Sequence, residues 1–105
     1  SNHGGRQLDA SLSALERIPE IREAVGTKMP LIADGGVMTG LDVIRYLASG
    51  ADFVLAGRAF MYAVGAMGKP GASHVMDVLF EEFKCTMAQI GCPRTADLPK
   101  FLVKP

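Results

Sequence analysis

Two apolar runs, Met29-Pro30-Leu31-Ile32-Ala33 and Ala51-Asp52-Phe53-Val54-Leu55-Ala56, constrain this chain more than any other feature. The second lacks polar alternation, the pattern of a strand covered on both faces, as in a parallel sheet flanked by helices. Each run ends in a glycine turn, Asp34-Gly35-Gly36 and Gly57-Arg58, and each turn opens a helix-like segment. Strand, helix and strand in that order form a βαβ unit, whose right-handed crossover brings both strand C-termini to one edge of the sheet. Both glycine turns are therefore expected to face the same way.

The rest of the sequence reads as helices that cover such a sheet. Leu12, Leu15, Ile18, Ile21 and Val25 recur at helical period over residues 11–25. Pro19 falls inside that run and predicts two short helices or one kinked helix, closing at Gly26. Thr39-Gly40-Leu41-Asp42 has the spacing of a capping box, with Leu41, Ile44, Leu47 and Ala48 as the buried face behind it and Gly50 as the stop. A short apolar helix over 59–66 and a Lys69-Pro70-Gly71 turn follow. A longer helix over 73–90 then presents Val75, Leu79, Phe83 and Met87 on one face. Gly91-Cys92-Pro93 ends it, and the tail is expected to be irregular, anchored by Leu98, Phe101 and Leu102. Met61, Met67, Met76 and Met87 read as packing residues. The predicted organisation is one domain or part of one: a polar, glycine-rich opening loop at 1–9, βα units at 29–50 and 51–68, and a C-terminal helix and tail at 71–105.

With 105 residues, 49% of them apolar, the chain can form one core. Eleven Lys and Arg balance eleven Asp and Glu and are scattered, which argues against nucleic acid or an anionic membrane surface as a partner. Cys85 and Cys92 lie seven positions apart in or beside one predicted helix. At 1.5 Å rise per residue that is roughly 10 Å, too far for a disulfide, so both read as reduced thiols in a cytosolic setting. No cysteine or histidine spacing suits a metal, no apolar run reaches membrane-spanning length, and none of these residues reads as a signal peptide. The chain opens on Ser1-Asn2-His3 without an initiator methionine, which reads as an excerpted or processed start, although Ser-Asn alone can be a tag remnant.

Two glycine turns on one sheet edge suit a phosphate. The amides of Gly35, Gly36 and Gly57 can donate to it, and the planar guanidinium of Arg58 can donate two parallel hydrogen bonds. The plainer alternative is a tight turn at 34–36 and a solvated arginine at 58. The glycines do not follow the dinucleotide-binding pattern, which favours a mononucleotide or phosphosugar over a dinucleotide. In the opening loop, His3 is suited to accept a proton near neutral pH and Arg6 to clamp a carboxylate. From spacing alone, both also fit solvated loop residues.

Ser1-Asn2-His3-Gly4-Gly5-Arg6-Gln7-Leu8-Asp9, then Asp34-Gly35-Gly36-Val37, Gly57-Arg58 and Gln89-Ile90-Gly91-Cys92, resemble in order and spacing the C-terminal part of the FMN-dependent α-hydroxy-acid dehydrogenase/oxidase family. That family includes glycolate oxidase, L-lactate dehydrogenase and mandelate dehydrogenase. The resemblance covers essentially the whole chain but only about the last third of a family member. It implies an α/β fold, the portion of a TIM (β/α)₈ barrel around strands seven and eight, with the site at the C-terminal strand ends. His3 would match the active-site base in the oxidation of a small 2-hydroxy acid to the 2-oxo acid as FMN is reduced, and Arg6 the arginine that binds the substrate carboxylate. Asp34, Gly35, Gly36, Val37, Met38, Gly57 and Arg58 would match the FMN-binding segments. Met38 departs from the pattern, since members usually carry arginine there.

The resemblance further implies a homo-oligomer; the lack of a signal in this segment gives the expectation of a cytoplasmic location, with a peripheral one at the inner membrane open because some members are membrane-associated through a region outside this segment. The segments expected to supply the remaining strands, the flavin-ring contacts and the substrate pocket are not in this sequence. The isolated 105-residue chain is accordingly expected to be inert. Two other functions stay open at this point: a non-catalytic or degenerate phosphate- or FMN-binding half-barrel module, and another barrel enzyme that binds FMN or a phosphosugar.

Overall fold

A computed structural model describes residues 7–103. His3 and Arg6 lie outside the described residues, as does most of the opening loop. The first helix, α1 (Ala14–Val25), starts at a complete capping box: the Ser13 hydroxyl accepts from Glu16 N–H, while the Glu16 carboxylate accepts from Ser13 N–H at 2.8 Å. Pro19 lies inside this one continuous helix, where two segments had been a possibility. Proline removes only its own N–H from the ladder, and the buried Ile18 beside it holds the helix against the core.

Strands β1 (Ile32–Asp34) and β2 (Phe53–Leu55) pair in parallel, with Ile32 opposite Phe53, Ala33 opposite Val54 and Asp34 opposite Leu55. Both are shorter than the apolar runs that predict them. Their register sets Asp34 and Leu55 abreast, so the turns that follow emerge side by side on one edge. Between the strands runs α2 (Gly40–Ala48), capped by the expected box between Thr39 and Asp42. After β2 come α3 (Arg58–Met67) and α4 (Pro70–Gln89). The latter begins earlier than the sequence suggests: Pro70 is its first residue rather than part of a turn, a position where the missing proline N–H has no intrahelical partner to lose. The tail closes as a 3-10 helix, Thr95–Phe101, where an irregular segment was expected.

Helix α2 is buried on two sides. One side places Tyr46 with Ile18, Ala33, Val37 and Ala51 against the sheet, and the other places Ile44 and Ala48 with Met87, Cys92 and Leu98 under α4 and the tail. Leu98 is fully buried and anchors the tail, whereas Phe101 and Leu102 are exposed. Gly40 lies so close to α4 that a Cβ built on it falls 2.4 Å from Phe83 N and 2.5 Å from Leu79 O. Gly71 stands in the same relation to α3, 2.1 Å from the Ala63 carbonyl oxygen. These two glycines allow the helices to meet backbone to backbone.

The expectation that both strand faces are covered holds for one face. Ala33 and Val54 pack against the helices, whereas Ile32, Phe53 and Leu55 are 58%, 62% and 59% exposed. Among the described residues nothing lies across that second face. Met61, Met67 and Met76 are likewise exposed rather than packed, and only Met87 of the four is buried.

Candidate functional site

At the C-terminal edge of the strand pair, Asp34, Gly35, Gly36 and Val37 face Leu55, Ala56, Gly57 and Arg58 across a cleft of about 470 Å³, which Met61 and Tyr62 complete. The sequence pattern thus converges in space: both glycine turns and Arg58 line one hollow. Met38 is not among its lining residues; it is exposed on the shoulder of the turn, and its N–H donates to the Asp42 carboxylate at 3.1 Å.

The Gly35-Gly36 turn needs glycine for its backbone alone, with φ of 113° and 69°. Gly57 differs. Its φ of −113° is open to any residue, and a Cβ placed on it meets nothing within 4 Å, so neither strain nor protein contact requires glycine there. Close approach of a bound group is a physical reason for keeping that position bare.

The electrostatics of the two helix starts differ. At α2 the N-terminal amides are already occupied: Met38 and Thr39 N–H donate to Asp42, and Gly40 N–H donates at 2.7 Å to the Glu82 carboxylate reaching across from α4. Burial raises the Asp42 pKa, but hydrogen bonds from Met38 N–H and from the Thr39 side chain and amide, with Arg45 nearby, outweigh it and hold the carboxyl below its ordinary range. An anion is thus excluded from the α2 start by two resident carboxylates. At α3 no side chain caps the helix, leaving its first amides without an intrahelical partner beside the half-buried Arg58. Arg58 makes no ion pair among the described residues, which adds a fixed cation to the positive end of the helix. Sequence reasoning set the phosphate between the two glycine turns with Arg58 as its cation; of the two adjoining helix starts, the geometry leaves that of α3 open.

One contributor was not anticipated. Tyr46, 5% exposed on α2, donates its hydroxyl hydrogen to the Gly35 carbonyl at 2.5 Å. Burial pushes its phenol pKa up, and the negative charges of Asp34 and Asp42 add to the rise, so the hydroxyl remains a donor.

A larger hollow of about 780 Å³ opens at the other end of the strands, against Gly50, Ala51 and Asp52. Its arginine is fully committed: Arg22 donates to the carbonyls of Gly50, Gly26 and Met29 and pairs with Asp52. The backbone hydrogen bond from Leu31, followed by that from Arg22, lowers the Asp52 pKa. This hollow is a structural clamp between α1 and the strands. Among the described residues no group of His, Cys, Asp and Glu could hold a metal, and no helix is long and apolar enough to cross a membrane.

Comparison with known proteins agrees with this architecture. The chain is 54% identical over 91 residues to an L-lactate dehydrogenase of Caulobacter sp. (strain K31), covering 87% of this chain and 24% of that protein. It is 45% identical over all 105 residues to an L-lactate oxidase of Alicycliphilus denitrificans, 29% of which it covers. A soluble mutant of the membrane-associated (S)-mandelate dehydrogenase from Pseudomonas putida superposes on the whole chain with a TM-score of 0.88 and 40% identity, and the chain covers 30% of it. The chain therefore spans 24–30% of the length of these relatives, and its fold is a partial (β/α)₈ barrel whose exposed strand face is the one turned to the barrel interior. The model of the family described as FMN-dependent dehydrogenase matches residues 1–105, and with the two glycine turns assembled on one barrel edge, the chain belongs to that family.

Proposed function

We propose that the complete polypeptide oxidises a small L-2-hydroxy acid to the 2-oxo acid with FMN as the cofactor, and that this segment supplies the FMN phosphate site, the catalytic base and the substrate-carboxylate clamp. The observation that carries the reading is the cleft between the glycine turns, where among the described residues the α3 start has free amides, Arg58 has no ion-pair partner and no contact requires Gly57 to be bare. Those groups fit a phosphate monoester. Asp34 does not, because its carboxylate would repel the phosphate. It shares the barrel-interior face with Ile32, where it suits the hydroxyl groups of a ribityl chain, which can donate to it.

FMN, when bound, supplies a two-electron acceptor. The chain's own residues handle protons and charge. His3 takes the proton lost as the hydroxyl carbon is oxidised, and Arg6 holds the substrate carboxylate bidentately. The 2-hydroxy-acid class is supported by relatives named for L-lactate and (S)-mandelate, which share only the carboxylate and the adjacent hydroxyl. The polypeptide is further expected to assemble as a homo-oligomer, in the cytoplasm or peripherally at the inner membrane.

The test is His3→Ala in the complete polypeptide. Turnover of L-lactate or (S)-mandelate should fall at least about 100-fold, the contribution expected of a general base, with flavin content unchanged. Retained turnover per bound flavin would remove His3 as the base and point to other chemistry on the same cofactor site. A wild-type protein that binds FMN but oxidises no 2-hydroxy acid would leave a binding module.

A further inference from the structure

We propose that Tyr46 is a positioning residue for the phosphate-binding turn: its hydroxyl fixes the Gly35–Gly36 peptide so that the Gly36 N–H is presented to the anion in the cleft. The inference rests on the reading of that cleft as the FMN phosphate site.

Two consecutive glycines at positive φ make this the least constrained peptide among the described residues, because no side chain at either residue opposes its rotation. If this peptide turned over, a carbonyl oxygen would replace an N–H at the cleft wall and would repel a phosphate. The structure supplies one restraint against that. Tyr46 sits in the core with Ile18, Ala33, Val37 and Ala51, so its ring cannot swing, and its hydroxyl donates to the Gly35 carbonyl from the helix side. Its distance to the Asp34 carbonyl is 3.4 Å, so the Gly35 bond is the stronger of the two. In a planar trans peptide the C=O and the next N–H point in opposite directions. Anchoring the Gly35 oxygen toward Tyr46 therefore aims the Gly36 N–H away from the core, and Gly36 is an exposed residue of the cleft wall. Among the described residues neither Gly36 N–H nor Val37 N–H has an acceptor, so the turn offers donors that are held in place but not used.

The experiment measures FMN and riboflavin dissociation constants, by quenching of flavin fluorescence, on the complete polypeptide and its Tyr46→Phe and Tyr46→Met variants, together with their melting temperatures. Riboflavin has the same ring and ribityl chain without the phosphate. Loss of one oriented hydrogen bond corresponds to about tenfold in affinity. FMN binding should weaken about tenfold in both variants while riboflavin binding is unchanged. A purely structural tyrosine would lower the melting temperature and weaken both flavins by the same factor, and that result overturns the proposal. So does unchanged FMN affinity in Tyr46→Phe, the variant that keeps the ring. If the wild-type protein bound FMN no more tightly than riboflavin, the phosphate site itself would be refuted, which separates its failure from that of Tyr46.

Discussion

Replacing Gly40 with alanine adds a single methyl group where α2 crosses α4, and the structure indicates how much it must displace. The new carbon would lie 2.4 Å from Phe83 N, 2.5 Å from Leu79 O and 2.7 Å from Glu82 Cβ. Two of these are backbone atoms of a twenty-residue helix, so no side chain can rotate out of the way. Relief requires the helices to part by about 1 Å, and overpacking of this kind costs about 1–3 kcal/mol. The same separation stretches the bond from Gly40 N–H to the Glu82 carboxylate, now 2.7 Å, beyond hydrogen-bonding range, a further loss of about 1.5–3 kcal/mol for a charged acceptor. Alanine's better helix propensity returns at most about 1 kcal/mol. The expected net loss is about 2–5 kcal/mol, read as a lower urea midpoint of the complete protein at unchanged slope. Gly65→Ala is the matched control: Gly65 is exposed within α3 and a Cβ there meets nothing within 4 Å, so the same chemical change should stabilise by about 0.5–1 kcal/mol. Equal midpoints for the wild type and Gly40→Ala would refute the close-approach argument.

Two further substitutions have defined outcomes. Met38→Arg restores a cation beside the glycine turn and should tighten FMN about tenfold, the low end for a charge-assisted hydrogen bond because the Asp42 carboxylate lies next to it; equal flavin dissociation constants would refute this. Hydrogen bonds from Arg94, then from Lys100, hold the Asp97 carboxyl at about 2 against an ordinary 3.8. A depressed carboxylate stabilises the fold above its unfolded pKa and ceases to do so as pH falls through its folded value. The stability gap between wild type and Asp97→Asn should therefore be constant above about pH 5 and shrink progressively below it, with most of it gone by pH 2, and a gap that is undiminished at pH 2 would contradict the pairing.

The parts legible in the sequence were those whose cause is local. Two apolar runs with glycine turns specify a parallel pair in register, and Thr39 with Asp42 specifies where α2 begins. What was not legible depends on contacts distant along the chain. Pro19 reads as a break until Ile18 is seen buried beside it. Pro70 reads as a turn until Gly71 is seen resting on the backbone of α3. Tyr46 lies off the apolar stripe drawn through Leu41, Ile44 and Leu47, and its role emerges only because α2 is buried on two sides. The occupied start of α2 could not be foreseen either, since Glu82 arrives from forty-two residues away. The open strand face follows from a segment that holds part of a barrel and leaves the remainder to other strands. His3 and Arg6 rest on the match of their motif to the family.

The most direct measurement is a crystal structure of the complete polypeptide with FMN. The phosphate cradle described above predicts the phosphate between the two glycine turns, within hydrogen-bonding distance of Gly36 N–H, the first amides of α3 and the Arg58 guanidinium. A phosphate seated at the start of α2, or outside this cleft altogether, would contradict it.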